Sequence, residues 1–166
     1  MRIPPSTGTF GLPPTTGTTG DAAQTTQVTP IPVLPSLDIL LVDDDLLSLT
    51  CEKLLLEKEG HRVTAVNSGE LALEYAQVRS YDLALMGLTL PGLSGEQTAM
   101  LIRDPLGGAI SPGLPIIALS SLGGRQVRES CAKAGMDAFL PKPILWEDMQ
   151  HAIRTTLALR GKRQAA

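Results

Sequence analysis

Aromatic residues make up only 3% of this 166-residue chain. A core of ordinary size, allowed by a hydrophobic fraction of 43%, must therefore be built from Leu, Ile, Val, Ala and Met. There are two cysteines, Cys51 and Cys131, far apart and without a CxxC neighbour. That excludes a disulfide scaffold and a zinc ribbon. Both read as small buried or half-buried residues in a reducing compartment. No window approaches the roughly 18 consecutive apolar residues of a membrane helix, and "MRIPPSTGTFGLPP" has no apolar run of signal-peptide length. A cytoplasmic location without membrane contact is the default. Long basic blocks are missing too. The formal net charge is −3, and the short "RGKRQ" reads as a solvated helix end, so nucleic acid is not expected as a main partner. His61 and His151 stand apart from other reactive residues and are expected at the surface. No Ser/His/Asp or Cys/His set converges, so an enzyme is not expected. No GxGxxG or P-loop pattern marks a nucleotide site.

Two textures are present. Residues 1 to 36 are dominated by Thr, Pro and Gly, with Arg2 and Asp21 the only charges. Such a stretch cannot bury enough apolar surface to offset its ordering entropy, and reads as a disordered tail or linker. A folded domain is expected over 37–162. "LDILLV" (37–42) reads as a buried strand ending at "DDD". The helix after it, 46–60, shows helical spacing at Leu47, Cys51, Leu54 and Leu55, and Gly60 suits its end. Further strands are expected at 61–66, 81–86, 115–120 and 137–140. Helices are expected at 70–80, 94–104, 125–135 and within 141–160, with Trp146, Met149, Ile153 and Leu157 on one face of the last. A loop rich in Gly and Pro spans 105–115. Strands alternating with amphipathic helices imply right-handed crossovers and a parallel sheet covered on both faces. A five-stranded α/β unit of this size is expected to be flavodoxin-like, with strand order 2-1-3-4-5 and five helices.

Polar residues gather where strands end. The first strand ends in Asp43, Asp44 and Asp45, the third at Gly87, and the fourth at Ser120 and Ser121. Lys142 follows the fifth, between Pro141 and Pro143. In a parallel sheet these ends share one edge, so carboxylates, a hydroxyl and an ammonium face one crevice. Neighbouring carboxylates disfavour joint ionisation. Either Mg²⁺, which takes few carboxylates plus waters, or Lys142 could neutralise them. Asp45 also suits a helix N-cap.

These motifs resemble a response-regulator receiver domain of two-component signalling over about 38–160. "ILLVDDD" is similar to the family's acidic pair, "YDLALMGLTLPGLSG" to its phosphoacceptor segment, "PIIALSS" to its hydroxyl strand and "AGMDAFLPKP" to its lysine segment. "RESCAKAGMDAFLPKPI" is especially similar to receivers attached to hybrid histidine kinases. The resemblance implies that Asp43 and Asp44 are Mg²⁺-binding acids, though weak or vestigial ones. It implies that Ser120 and Lys142 contact the phosphoryl group, that Phe139 is the aromatic switch, and that Pro143 follows a cis bond. Gly87 is the departure, because the family carries its acceptor Asp there. Asp82 lies five residues back, at the opposite edge of the sheet.

The expectation is a degenerate receiver, a pseudo-receiver that signals through protein contact rather than phosphorylation at Gly87. Its partners would be a histidine kinase, a histidine phosphotransfer protein or another signalling protein. Its working face would lie on the fourth helix, fifth strand and fifth helix, near Arg125, Arg128, Phe139 and Trp146. Three alternatives stand beside it: phosphorylation on another carboxylate such as Asp43 or Asp44, an engineered exchange of a working acceptor, and a small-ligand or nucleotide sensor. With no DNA-binding or kinase domain after residue 160, the chain reads as a single-domain regulator or a piece of a larger sensor kinase.

Overall fold

The computed structural model describes residues 34–104 and 110–164. The Thr/Pro/Gly-rich stretch lies, as far as residue 33, outside the described residues, as does 105–109 of the expected loop. Ten elements alternate: β1 (Asp38–Val42), α1 (Leu46–Lys58), β2 (Arg62–Val66), α2 (Gly69–Val78), β3 (Leu83–Gly87), α3 (Gly95–Arg103), β4 (Ile116–Ser120), α4 (Arg125–Lys133), β5 (Ala138–Pro141) and α5 (Trp146–Gln164). The strands form one sheet in the order β2-β1-β3-β4-β5. Every pairing is parallel. This is the flavodoxin-like order expected for a five-stranded unit of this size; the alternation of strand and helix alone does not fix it.

Strand periodicity divides the core in two. Leu40, Val42, Ala84, Met86, Ile116 and Ala118 face α2, α3 and α4. Ile39, Leu41, Leu83, Leu85, Ile117 and Leu119 face α1 and α5, meeting Leu49, Leu56, Met149 and Ile153. With both faces covered, a strand can be apolar throughout, which is why β3 and β4 read as continuous runs rather than alternations. Helix starts are capped as their sequences suggest. Asp45 and Ser68 accept from backbone N–H groups of α1 and α2, and Ser94 forms a reciprocal capping box with Gln97. Gly60, at φ +91°, ends α1 in a conformation that other residues rarely adopt.

Three sequence expectations are corrected. The buried side of α1 carries Leu49, Glu52 and Leu56, not the expected set. Leu47 is 73% exposed and Leu54 60%, and Cys51 is exposed as well. Leucines ring this helix, so apolar spacing alone fits more than one face; the sheet selects the stripe. His61 is buried rather than at the surface. Its Nδ1 accepts the Leu37 N–H at 3.3 Å, and burial pushes its pKa down. That hydrogen bond lets an imidazole replace water at the start of the sheet.

Truncating α1 distinguishes its faces. Leu56→Ala should cost about 2–5 kcal/mol by opening a cavity, and Leu54→Ala less than about 0.5 kcal/mol. Urea unfolding of the two variants measures the contrast.

Candidate functional site

The ladder brings the polar strand ends together. Val42 is level with Val66 and Met86, Gly87 with Leu119, and Ser120 with Pro141. The residues just beyond line a crevice of about 350 Å³, including Asp43, Asp44, Gly87, Ser120 and Lys142. Asp45 and Ser121 line it too, so all seven strand-end residues expected to share an edge meet there. Phe139 lies within β5, half-buried, with the Arg128 guanidinium 4.5 Å from its ring centre. Asp82 is at the other edge, accepting the Asp38 N–H at 2.8 Å.

Asp43 is only 2% exposed, so its charge needs partners. Its Oδ1 accepts the Asp45 N–H at 3.0 Å, and its Oδ2 accepts from Lys142 Nζ. Lys142 thus pairs with Asp43, the buried member of the acidic run. Asp45 belongs to the helix: its Oδ1 accepts from Leu47 N at 2.9 Å and Ser48 N at 3.3 Å. Those bonds hold its carboxyl below the usual range. Asp44 is exposed. Ser120 is buried, and its Oγ accepts the Leu122 N–H at 3.0 Å. The Lys142–Pro143 bond is cis, as the proline motif implied.

Gly87 presents only backbone to the crevice. Its φ is not among the positive values found at other glycines, so no conformational demand requires glycine there. A Cβ at this position would lie 3.1 Å from Val42 O, 3.5 Å from Leu90 Cδ2 and 3.6 Å from the Asp43 Cα. That is tight, but it needs a give of only a few tenths of an ångström. Gly95 is different. A Cβ there would collide with the Gly87 carbonyl oxygen and the Leu88 backbone, where Gly95 N donates to Leu88 O at 3.0 Å.

Comparison with known proteins agrees with this geometry. The model of the response regulator receiver domain family matches residues 39–154. The chain belongs to the response regulator receiver family. The sensor histidine kinase GacS of Pseudomonas protegens is 33% identical over 126 residues, which are 75% of this chain and 14% of that protein. The receiver domain of sensor histidine kinase PA1611 from Pseudomonas aeruginosa is 32% identical with a TM-score of 0.67, over 75% of this chain and 99% of that one. A CheY-like receiver domain from Methanospirillum hungatei is 26% identical with a TM-score of 0.68, over 78% of this chain and 99% of that one. This receiver domain therefore spans a small part of the curated kinase it matches. Among its described residues no helix is long and apolar enough to cross a membrane.

Glu52 of this receiver was not singled out from the sequence. It is 7% exposed on the inner side of α1, and its Oε2 is buried without a hydrogen-bond partner. Burial raises its pKa to about 7, against the opposing pull of Lys142 and with the help of Asp43 and Asp45. The signal was available: Glu52 lies three residues after Leu49 and four before Leu56, so it shares their stripe.

A pH dependence follows from Glu52. Its carboxyl holds a proton in the folded chain up to about pH 7, but ionises near 4.5 when unfolded. Folding stability is therefore lost as pH rises through that window, and the loss is complete above it. Glu52→Gln should remove the loss. Relative to the parent, it should be stabilised by about 2 kcal/mol more at pH 8 than at pH 4.5, as read by denaturant unfolding at both pH values.

Proposed function

We propose that this receiver domain regulates by protein contact and takes no phosphoryl group at the end of β3. Gly87 carries the reading. In the family the residue at this point of the motif is the acceptor Asp, and acyl-phosphate formation needs a carboxylate oxygen as nucleophile. Gly87 lines the crevice but offers only amide and carbonyl. Asp43 is a poor substitute, because it is buried and its two oxygens are engaged by Asp45 and Lys142. Asp44 is exposed, outside the Lys142 pairing that would draw a phosphoryl group in. Ser120 and Lys142 then stand as remnants of a phosphate site, and Phe139 as a switch position.

A magnesium ion occupies the active-site cleft of the PA1611 receiver. The donor set here fits it poorly. Both Asp43 oxygens already accept a hydrogen bond, Gly87 adds no carboxylate, and among the described residues no three His, Cys, Asp or Glu side chains form a ligand group. Asp43 and Asp44 are vestigial as metal ligands on this reading, and no step is routed through a metal. The partners on this reading are a histidine kinase, a histidine phosphotransfer protein or another signalling protein in the cytoplasm, in keeping with the similarity to a sensor histidine kinase. The contact face would be α4, β5 and α5, where Arg128 covers Phe139. No catalytic activity is assigned.

Phosphotransfer tests the reading. The chain and Gly87→Asp are each incubated with a phosphorylated histidine phosphotransfer protein and, separately, with acetyl phosphate, then weighed intact by mass spectrometry. The parent should gain no phosphoryl mass, and Gly87→Asp should gain one equivalent, since the backbone leaves near-sufficient room for its Cβ. Phosphoryl mass on the parent, mapped to Asp43 or Asp44, would sink the proposal.

A further inference from the structure

A second cavity lies beside the crevice, between α1 and α5. Its volume is about 450 Å³, within the roughly 300–1,000 Å³ usual for small-molecule sites. Its walls are apolar: Leu47, Cys51 and Leu55 from α1, with Ile144, Trp146 and Met149 from the α5 side. Leu47 and Leu55 keep much of their surface in water, a state that burial under a ligand would relieve. The cavity and the crevice share Ser48, Ser121 and Lys142, so one opens toward the other.

Glu52 is the one carboxylate lining this cavity. The side chain is more than nine-tenths buried, and its Oε2 has no donor. A buried acceptor without a partner is costly, and a ligand donor would remove that cost. The charge nearby favours a cationic donor. Lys142, which also lines the cavity, acts on Glu52 more strongly than Asp43 or Asp45 does, but its charge is already paired with Asp43, which leaves Asp45 and Glu52 as the unpaired acids among them. We propose that the α1–α5 cavity binds a small amphiphilic amine, its apolar body against Leu47, Leu55 and Trp146 and its ammonium donating to Glu52. The site is independent of Gly87: it holds whether or not the neighbouring crevice accepts a phosphoryl group.

Trp146 is the only tryptophan of the chain, so its emission reports occupancy directly. At pH 8, where Glu52 is ionised, the full chain is titrated with phenylbutylamine, with the neutral phenylbutanol and with the anion phenylbutyrate. The amine should give a saturable emission change with an affinity at least about tenfold above that of the alcohol, equal to about 1.4 kcal/mol, and phenylbutyrate should give none. Glu52→Gln should bring the amine down to the level of the alcohol. Cys51→Phe, at an exposed position that leaves the core intact, should fill the cavity and abolish both signals while the circular dichroism spectrum is unchanged. An amine that binds no better than the alcohol, or unchanged amine affinity in Glu52→Gln or in a folded Cys51→Phe, would overturn the proposal, as would the absence of any saturable change.

Discussion

The ion pair between Lys142 and Asp43 organises one edge of this domain. It joins the end of β1 to the residue after β5 across β3 and β4, the two strands between them in the sheet. Two facts make it possible. All strands run the same way, so their ends share an edge, and Asp43 is too buried to stand charged alone. Removing one partner of such a pair is worse than never having formed it, because the other charge stays behind unpaired. The crevice therefore holds one balanced pair before any ligand arrives. Its lysine is occupied, and each oxygen of its most buried acid already accepts a hydrogen bond.

That balance shapes the functional reading. Acyl-phosphate formation needs a carboxylate oxygen as nucleophile. In this chain Gly87 lines the crevice with backbone alone, and Lys142 pairs with the buried Asp43. The fold can keep its outer surfaces under those conditions, since the two core layers depend on Leu, Ile and Ala contacts away from the crevice. The contact signalling proposed above is compatible with the fold for that reason.

The architecture was legible because strand ends and turns are written in short-range chemistry: "VDDD", "MGLTLPG" and "LPKP" each place a polar or Pro/Gly break at the end of an apolar run. The crevice was legible for the same reason, since a parallel sheet converts those breaks into neighbours. What escaped was face selection. Leu47, Leu54 and Leu55 look as core-forming as Leu49 and Leu56 when read by spacing, and only packing on β1 and β2 separates them. His61 and Glu52 escaped through a related gap. Both are polar side chains on buried positions, and composition assigns such residues to solvent unless the stripe they occupy is known. Cys51 followed the same error, being judged by residue type rather than by its place on α1.

The approach of α3 to β3 has a mechanical consequence. Gly95 and the Gly87–Leu88 backbone meet main chain to main chain, with a hydrogen bond of 3.0 Å from Gly95 N to Leu88 O and no side chain between them. Side-chain rotamers usually absorb small shifts at a junction, and here none is available to do so. A tilt of the first turn of α3 would press on the floor of the crevice with no side chain between to cushion it.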